Sequence, residues 1–286
     1  NHIYMPLYPI WTYIFGGKTV LILADIGISI ATVYLVYLLS LELFKNKVAA
    51  LLSSLISAFY PHFLFYAVTG LTETLYTFLL LATFLLFYKK HFFWAILLSI
   101  LSILVRPSLD LLNPILIVIF IYFVHGLPWK IVFKYLIIYC ISYLLLMSPW
   151  WMHQYQKYGE FVRLNLGDGI VLFSGNNPMN VTGGGVGRKN GTSDMDLSQF
   201  NNIKNPIHRN EAMKKEALNY IVSNPGHFIE LAGTKFMRFW RLWPHAESYQ
   251  QWYTIAASLL SYGVVLLFAI GFIFRNVGSF FWKLTP

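Results

Sequence analysis

The chain has 286 residues, 57% of them hydrophobic and 12% charged, and carries a formal net charge of +9. So few charges over so much apolar surface exclude an ordinary soluble domain and make lipid its main solvent. The excess of lysine and arginine sits mostly in short connections between apolar runs, where it serves membrane topology and not nucleic acid.

A bilayer core about 30 Å thick requires roughly 20 mostly apolar residues per helix. Runs that meet or approach this length occupy residues 20–44, 48–67, 73–88, 92–105, 109–124, 131–147 and 253–274. They predict an all-α polytopic membrane protein with about seven spans. The fourth and fifth runs are short, which suits tilted, packed or partly re-entrant helices. The alternation that a membrane β-barrel needs is absent from all seven. Residues 1–19 read as the end of a first extracytoplasmic loop, 20–149 as the helical bundle, 150–251 as an extracytoplasmic loop, and 252–286 as the last span with the start of a further segment. The start at Asn1, with no signal pattern before the first run, suggests a piece of a longer protein. The single cysteine, Cys140, lies inside an apolar run and reads as packing.

Orientation follows from the positive charges. With the first span running inward, the inner connections hold Lys45, Lys47, Lys89, Lys90, Lys130, Lys134, Arg275 and Lys283, whereas the short outer ones hold Lys18 and Arg106. The long segment 150–251 then lies outside, and the expected location is the bacterial cytoplasmic (inner) membrane.

The outer segment has two halves. Residues 159–205 are rich in Gly, Asn, Ser and Asp, and short apolar runs such as 169–173 read as strands between turns. The run Gly183-Gly-Gly-Val-Gly-Arg-Lys189 lacks the Lys-Ser/Thr ending of a phosphate loop and the final glycine of a dinucleotide fingerprint. It reads as a mobile loop, with a substrate lid as the alternative. Asn180-Val-Thr182 and Asn190-Gly-Thr192 are glycosylation triplets that matter only in a glycosylating compartment. In the second half, 209–222 is helical in composition, Asn224-Pro225 interrupts it, and a second helix runs over 225–243. Phe228, Leu231, Ala232, Phe236, Phe239 and Trp243 recur there at helical spacing, beside Lys235, Arg238 and Arg241. The helix is an interfacial anchor, a contact for a phosphorylated lipid, or both.

Ionisable residues at membrane depth are costly and mark either the interface or a functional cavity. Lys18 and Asp25 flank the start of the first span, Glu73 opens the third, and Arg106 with Asp110 occupies the turn between the fourth and fifth. The charge-derived topology puts all of them toward the outer side. Plainer roles stand beside this one: Lys18 snorkelling, Glu73 in a helix first turn with Thr72, Arg106 pairing with Asp110 one turn later, and His62 packed. No His, Cys or carboxylate spacing marks a metal site.

The order of these signals resembles that of the GT-C class of lipid-linked-sugar glycosyltransferases, in particular the protein mannosyltransferase and aminoarabinose transferase branch. The resemblance rests on Pro6-Leu-Tyr-Pro9 followed by Phe15-Gly16, on Pro61 and then Thr72-Glu73, on Arg106-Pro107, on Pro149-Trp150, on Gly175-Asn-Asn-Pro178, and on Asn224-Pro225 before a basic aromatic helix. It implies transfer of a sugar, with inversion, from a polyprenyl phosphate donor to a hydroxyl on a glycan, lipid or protein acceptor outside the membrane. Glu73 would be the catalytic-site carboxylate, with Arg106, Lys18, Tyr8, His62, His153 and Arg238 binding substrate. No cofactor follows from it, and assistance by a divalent metal stays open. Two departures stand out: His153-Gln154 replaces the Arg-Asn common after Pro-Trp, and the family's catalytic aspartate would precede Asn1. A transporter or lipid flippase is the competing expectation.

Overall fold

The computed structural model describes residues 4–184, 188–189, 192–193, 195–245 and 249–284, the backbone alone at 188–189, at 192–193 and beyond 275. These residues fall into two compact units, one comprising Tyr4–Gly159 with the helix end from Phe272, the other Glu160–Gly271.

The first unit is helical. A short α1 (Leu7–Phe15) precedes α2 (Lys18–Phe44), α3 (Lys47–Ala58), α4 (Pro61–Thr69), α5 (Thr72–Tyr88), α6 (Phe92–Val105), α7 (Asn113–Val118, continued by a wider π turn over Ile119–Val124) and α8 (Trp129–Tyr158). X-Pro pairs set several of these boundaries. A proline crowds the residue before it out of the helical region and has no N–H to give. Tyr60 before Pro61 and Arg106 before Pro107 are accordingly extended, which ends α3 and α6. Asn46 starts α3 by accepting the N–H groups of Val48 and Ala49. The core of the unit gathers Phe87, Ile96, Ile100, Ile117, Ile121 and Val132 from α5 to α8.

Three helical stretches are long and apolar enough to cross a bilayer: Lys18–Phe44, Trp129–Tyr158 and Trp252–Arg275. Within the chain only 11%, 17% and 11% of their most apolar windows are buried, so most of that surface is left for lipid. The expected single helix over 48–67 is instead α3 and α4 bent by 51° at Tyr60-Pro61, and the pair adds at most a fourth candidate. Helices α5, α6 and α7 are shorter than a straight span requires. Length and composition therefore support a membrane protein with three candidate spans among the described residues, or four if the bent pair is one span, and do not confirm seven. The segment expected to end near Met147 runs on: α8 carries Pro149 in its interior and continues to Tyr158, where Gly159 terminates it in the left-handed conformation.

The second unit contains α9 (Asp168–Gly175), a two-residue antiparallel pairing of β1 (Arg188–Lys189) with β2 (Thr192–Ser193), α10 (Pro206–Ser223) and α11 (Pro225–Phe239), and α12 (Trp252–Ser258) and α13 (Val264–Leu284) follow. The run 169–173, expected as a strand, is the helix α9. Its apolar residues pack on α10 in a core of Phe173, Met195, Phe200, Met213 and Ala217, and this tertiary packing overrides the β propensity of Ile170 and Val171. At Gly169 a Cβ would lie 2.2 Å from the Asn210 carbonyl oxygen, so the α9–α10 approach needs glycine. The expected basic aromatic helix ends at Phe239 and not at 243, and its aromatic residues Phe236 and Phe239 are exposed.

Candidate functional site

The polar end of the first unit is built by α1, α2, α4, α5 and α6. Glu73 stands in the first turn of α5, and Arg106, extended after α6, donates through Nη1 to Glu73 Oε1. The second carboxylate oxygen accepts from Thr72 Oγ1 at 3.2 Å. The Arg106 guanidinium lies 6.0 Å from the centroid of the Tyr76 ring, which limits its freedom further. The plainer expectation, an Arg106 pair with Asp110, is not what forms. The Asp110 carboxylate is buried and accepts from Tyr143 Oη at 2.6 Å.

A second acidic centre lies beside the first. Asp25 is fully buried in α2 and accepts from Trp11 Nε1 at 3.0 Å and from Tyr8 Oη at 3.5 Å, both on α1. Burial, with Asp25 and then Glu73 adding negative charge, pushes the Tyr8 hydroxyl above its ordinary range, so Tyr8 stays a proton donor near neutral pH.

Glu73 also borders a cavity of about 120 Å³ between α2, α4 and α5, together with Thr32, His62, Tyr66, Thr74 and Thr77. Thr74 is buried, and its hydroxyl has no hydrogen-bond partner. The arrangement thus gathers a carboxylate and an imidazole on the cavity wall, with a buried, unpartnered hydroxyl beside them and the Arg106 guanidinium paired to the carboxylate. Such a wall can orient a hydroxyl and accept its proton, and a fixed cation beside it stabilises developing negative charge.

Of the residues expected to act together, Glu73, Arg106, Tyr8 and His62 share this region. Lys18 is exposed at the start of α2. His153 is exposed near the end of α8, its ring stacked on Trp150 at 5.7 Å. Arg238 belongs to the second unit, on α11. Trp11, Thr74 and Tyr143 are participants that the sequence did not single out.

In the second unit, Gly175-Asn-Asn-Pro178 forms a turn that closes α9. Asn177 Nδ2 donates to the Phe173 and Ser174 carbonyls and its Oδ1 accepts from Met179, while Lys235 Nζ on α11 donates to Asn176 Oδ1 at 3.0 Å. Burial lowers the Lys235 pKa. Asn180, first residue of a glycosylation triplet, is fully buried and donates to the Ser174 and Gly184 carbonyls, so its amide is not accessible for modification. The second triplet begins at Asn190, which lies outside the described residues, as do Gly185 to Gly187 of the glycine run. Among the described residues, no group of three or more His, Cys, Asp or Glu side chains could hold a metal ion.

No protein-family model matches the chain, and neither a curated protein nor a solved structure does.

Proposed function

We propose that the chain is part of a membrane glycosyltransferase that moves a sugar from a polyprenyl phosphate to a hydroxyl acceptor on the extracytoplasmic side, with inversion. The observation that carries this reading is the Glu73–Arg106 pair at the rim of the cavity that His62 and Thr74 line. The order of motifs shared with GT-C transferases supports it. In this reading α5, α6 and α7 complete a bundle of about seven spans, tilted or set in locally thinned bilayer. A donor whose tail lies in lipid arrives at fixed depth, which lowers the entropic cost of positioning it.

The acceptor oxygen attacks the anomeric carbon, the bond from that carbon to the phosphate oxygen breaks, and the hydroxyl proton passes to a carboxylate. Polyprenyl phosphate leaves with the bonding electrons. Glu73 orients the acceptor or a donor hydroxyl, and Arg106 balances the charge on the departing phosphate. The resemblance implies an aspartate as the general base. Asp25 positions α1 instead, since Trp11 and Tyr8 already occupy it.

The test is binding of polyprenyl phosphate to the full-length protein in nanodiscs. Wild type should prefer it to ordinary phospholipid, and Arg106→Ala should weaken binding by about 1.5 to 3 kcal/mol, as loss of a charged hydrogen bond does. Absence of any preference overturns the reading.

One observation favours a second reading, a transporter or lipid flippase: the α3–α4 pair is bent by 51° at Pro61, and α4 lines the cavity. Broken helices beside a polar cavity are common in transporters. Substrate movement across sealed vesicles without chemical change would select it.

A further inference from the structure

The second unit holds a cavity of its own, of about 450 Å³, a volume within the range of small-molecule sites. Leu166, Ile170, Leu197 and Met213 give it apolar walls, and Lys204 and Arg209 bring two cations to it. Arg209 donates through Nη2 to Asn201 Oδ1 at 3.2 Å, which fixes the guanidinium, yet its Nε is buried and has no hydrogen-bond partner. The neighbouring carboxylates are already engaged. Asp168 is held by Lys214 and by Asn210 Nδ2, Glu160 by His208 and Asn205, and Asp196 by Ser198. Among the described residues, neither Lys204 nor Arg209 forms an ion pair with a carboxylate. The first turn of α10, an 18-residue helix whose first residue Pro206 also lines the cavity, adds partial positive charge.

We propose that this cavity binds an amphipathic anion, a phosphate or carboxylate held by Arg209 and Lys204 with its apolar body against Leu166, Ile170, Leu197 and Met213. A guanidinium suits such a group because it presents several donors in one plane. The apolar walls exclude a bare inorganic ion as the natural occupant, since they would gain nothing from it. The site does not depend on the transferase reading.

Hexyl phosphate is the probe, titrated into the full chain in nanodiscs of neutral phosphatidylcholine and followed by phosphorus NMR. Wild type is expected to bind it at least tenfold more tightly than inorganic phosphate or hexyl glucoside. Arg209→Gln and the exposed-site change Lys204→Gln should each weaken it at least tenfold, with thermal unfolding unchanged for Lys204→Gln. Glu73→Gln should leave it alone, which separates this site from the proposed transfer centre. Competition by phosphatidylglycerol added to the discs identifies a lipid headgroup as the source of the anion, and absence of competition identifies a soluble acid. Affinity unchanged in both cation variants overturns the proposal, as does equal affinity for inorganic phosphate.

Discussion

Arg106 Nη1 donates to Glu73 Oε1 across a separation of 33 residues and so fastens the turn after α6 to the first turn of α5. Both side chains keep some exposure, 39% for Arg106 and 30% for Glu73, so water weakens the pair on its open side. Its surroundings on the other side are helices, and a double-mutant cycle of Glu73→Gln and Arg106→Gln should give a coupling of about 1 to 2 kcal/mol. Unfolding of the four proteins in nanodiscs measures it. Coupling near zero would mean that solvent screening dominates.

The cycle also bears on chemistry. If Glu73 orients a reacting hydroxyl, Glu73→Gln should cut turnover by about a hundredfold or more while changing donor affinity little, whereas Arg106→Gln should affect both. Turnover is read from sugar transfer by the full-length protein.

The buried carboxylate of Asp25 makes a separate prediction. Trp11 Nε1 and Tyr8 Oη lose their acceptor in Asp25→Ala, and leaving such donors unpaired should cost about 2 to 4 kcal/mol. Asp25→Asn keeps an acceptor oxygen and should cost less. The indole N–H resonance of Trp11, assigned with Trp11→Phe because the chain has 9 tryptophans, reports the difference, since that N–H should become accessible to water in the alanine variant only.

These contacts explain which parts of the site were legible in the sequence. The charge pattern placed Glu73 and Arg106 on one side of the membrane, and that alone brought them within reach. It could not exclude Asp110 as the partner, because spacing of four residues means proximity only on a helix. Arg106 is extended and Pro107–Leu109 turns tightly, so the rule does not apply there. The contact of Tyr8 and Trp11 with Asp25 depends on the reversal at Gly16, whose φ of 59° no periodicity announces. The helix α9 was misread as a strand for a related reason. Its stability comes from α10 through Asn210, Met213 and Ala217, residues that a local window does not weigh.

Gly169→Ala tests that dependence. The new methyl would meet the Asn210 backbone and side chain at under 3 Å, so α9 and α10 must separate. The expected cost is about 1 to 3 kcal/mol, as for other overpacked contacts. Limited proteolysis should show cleavage within residues 160–223 while α5 and α6 remain protected, and equal protection of the second unit would sink the argument.

His245 supplies a pH prediction for the second unit. Burial, together with the nearby Arg238 and Arg241, lowers its pKa below the ordinary 6.5, although a backbone hydrogen bond to Arg238 opposes this. The folded state therefore binds fewer protons than the unfolded chain once pH drops to the ordinary histidine value. Stability is complete above that value, falls as pH decreases through it, and levels off below the lowered folded-state pKa. The side chain is largely exposed, so the loss should stay under about 1 kcal/mol. Thermal unfolding between pH 7.5 and pH 5, values that about bracket an ordinary histidine titration, should show the decline in wild type and a flatter profile in His245→Gln. A steeper profile in the variant would place the sensitive group elsewhere.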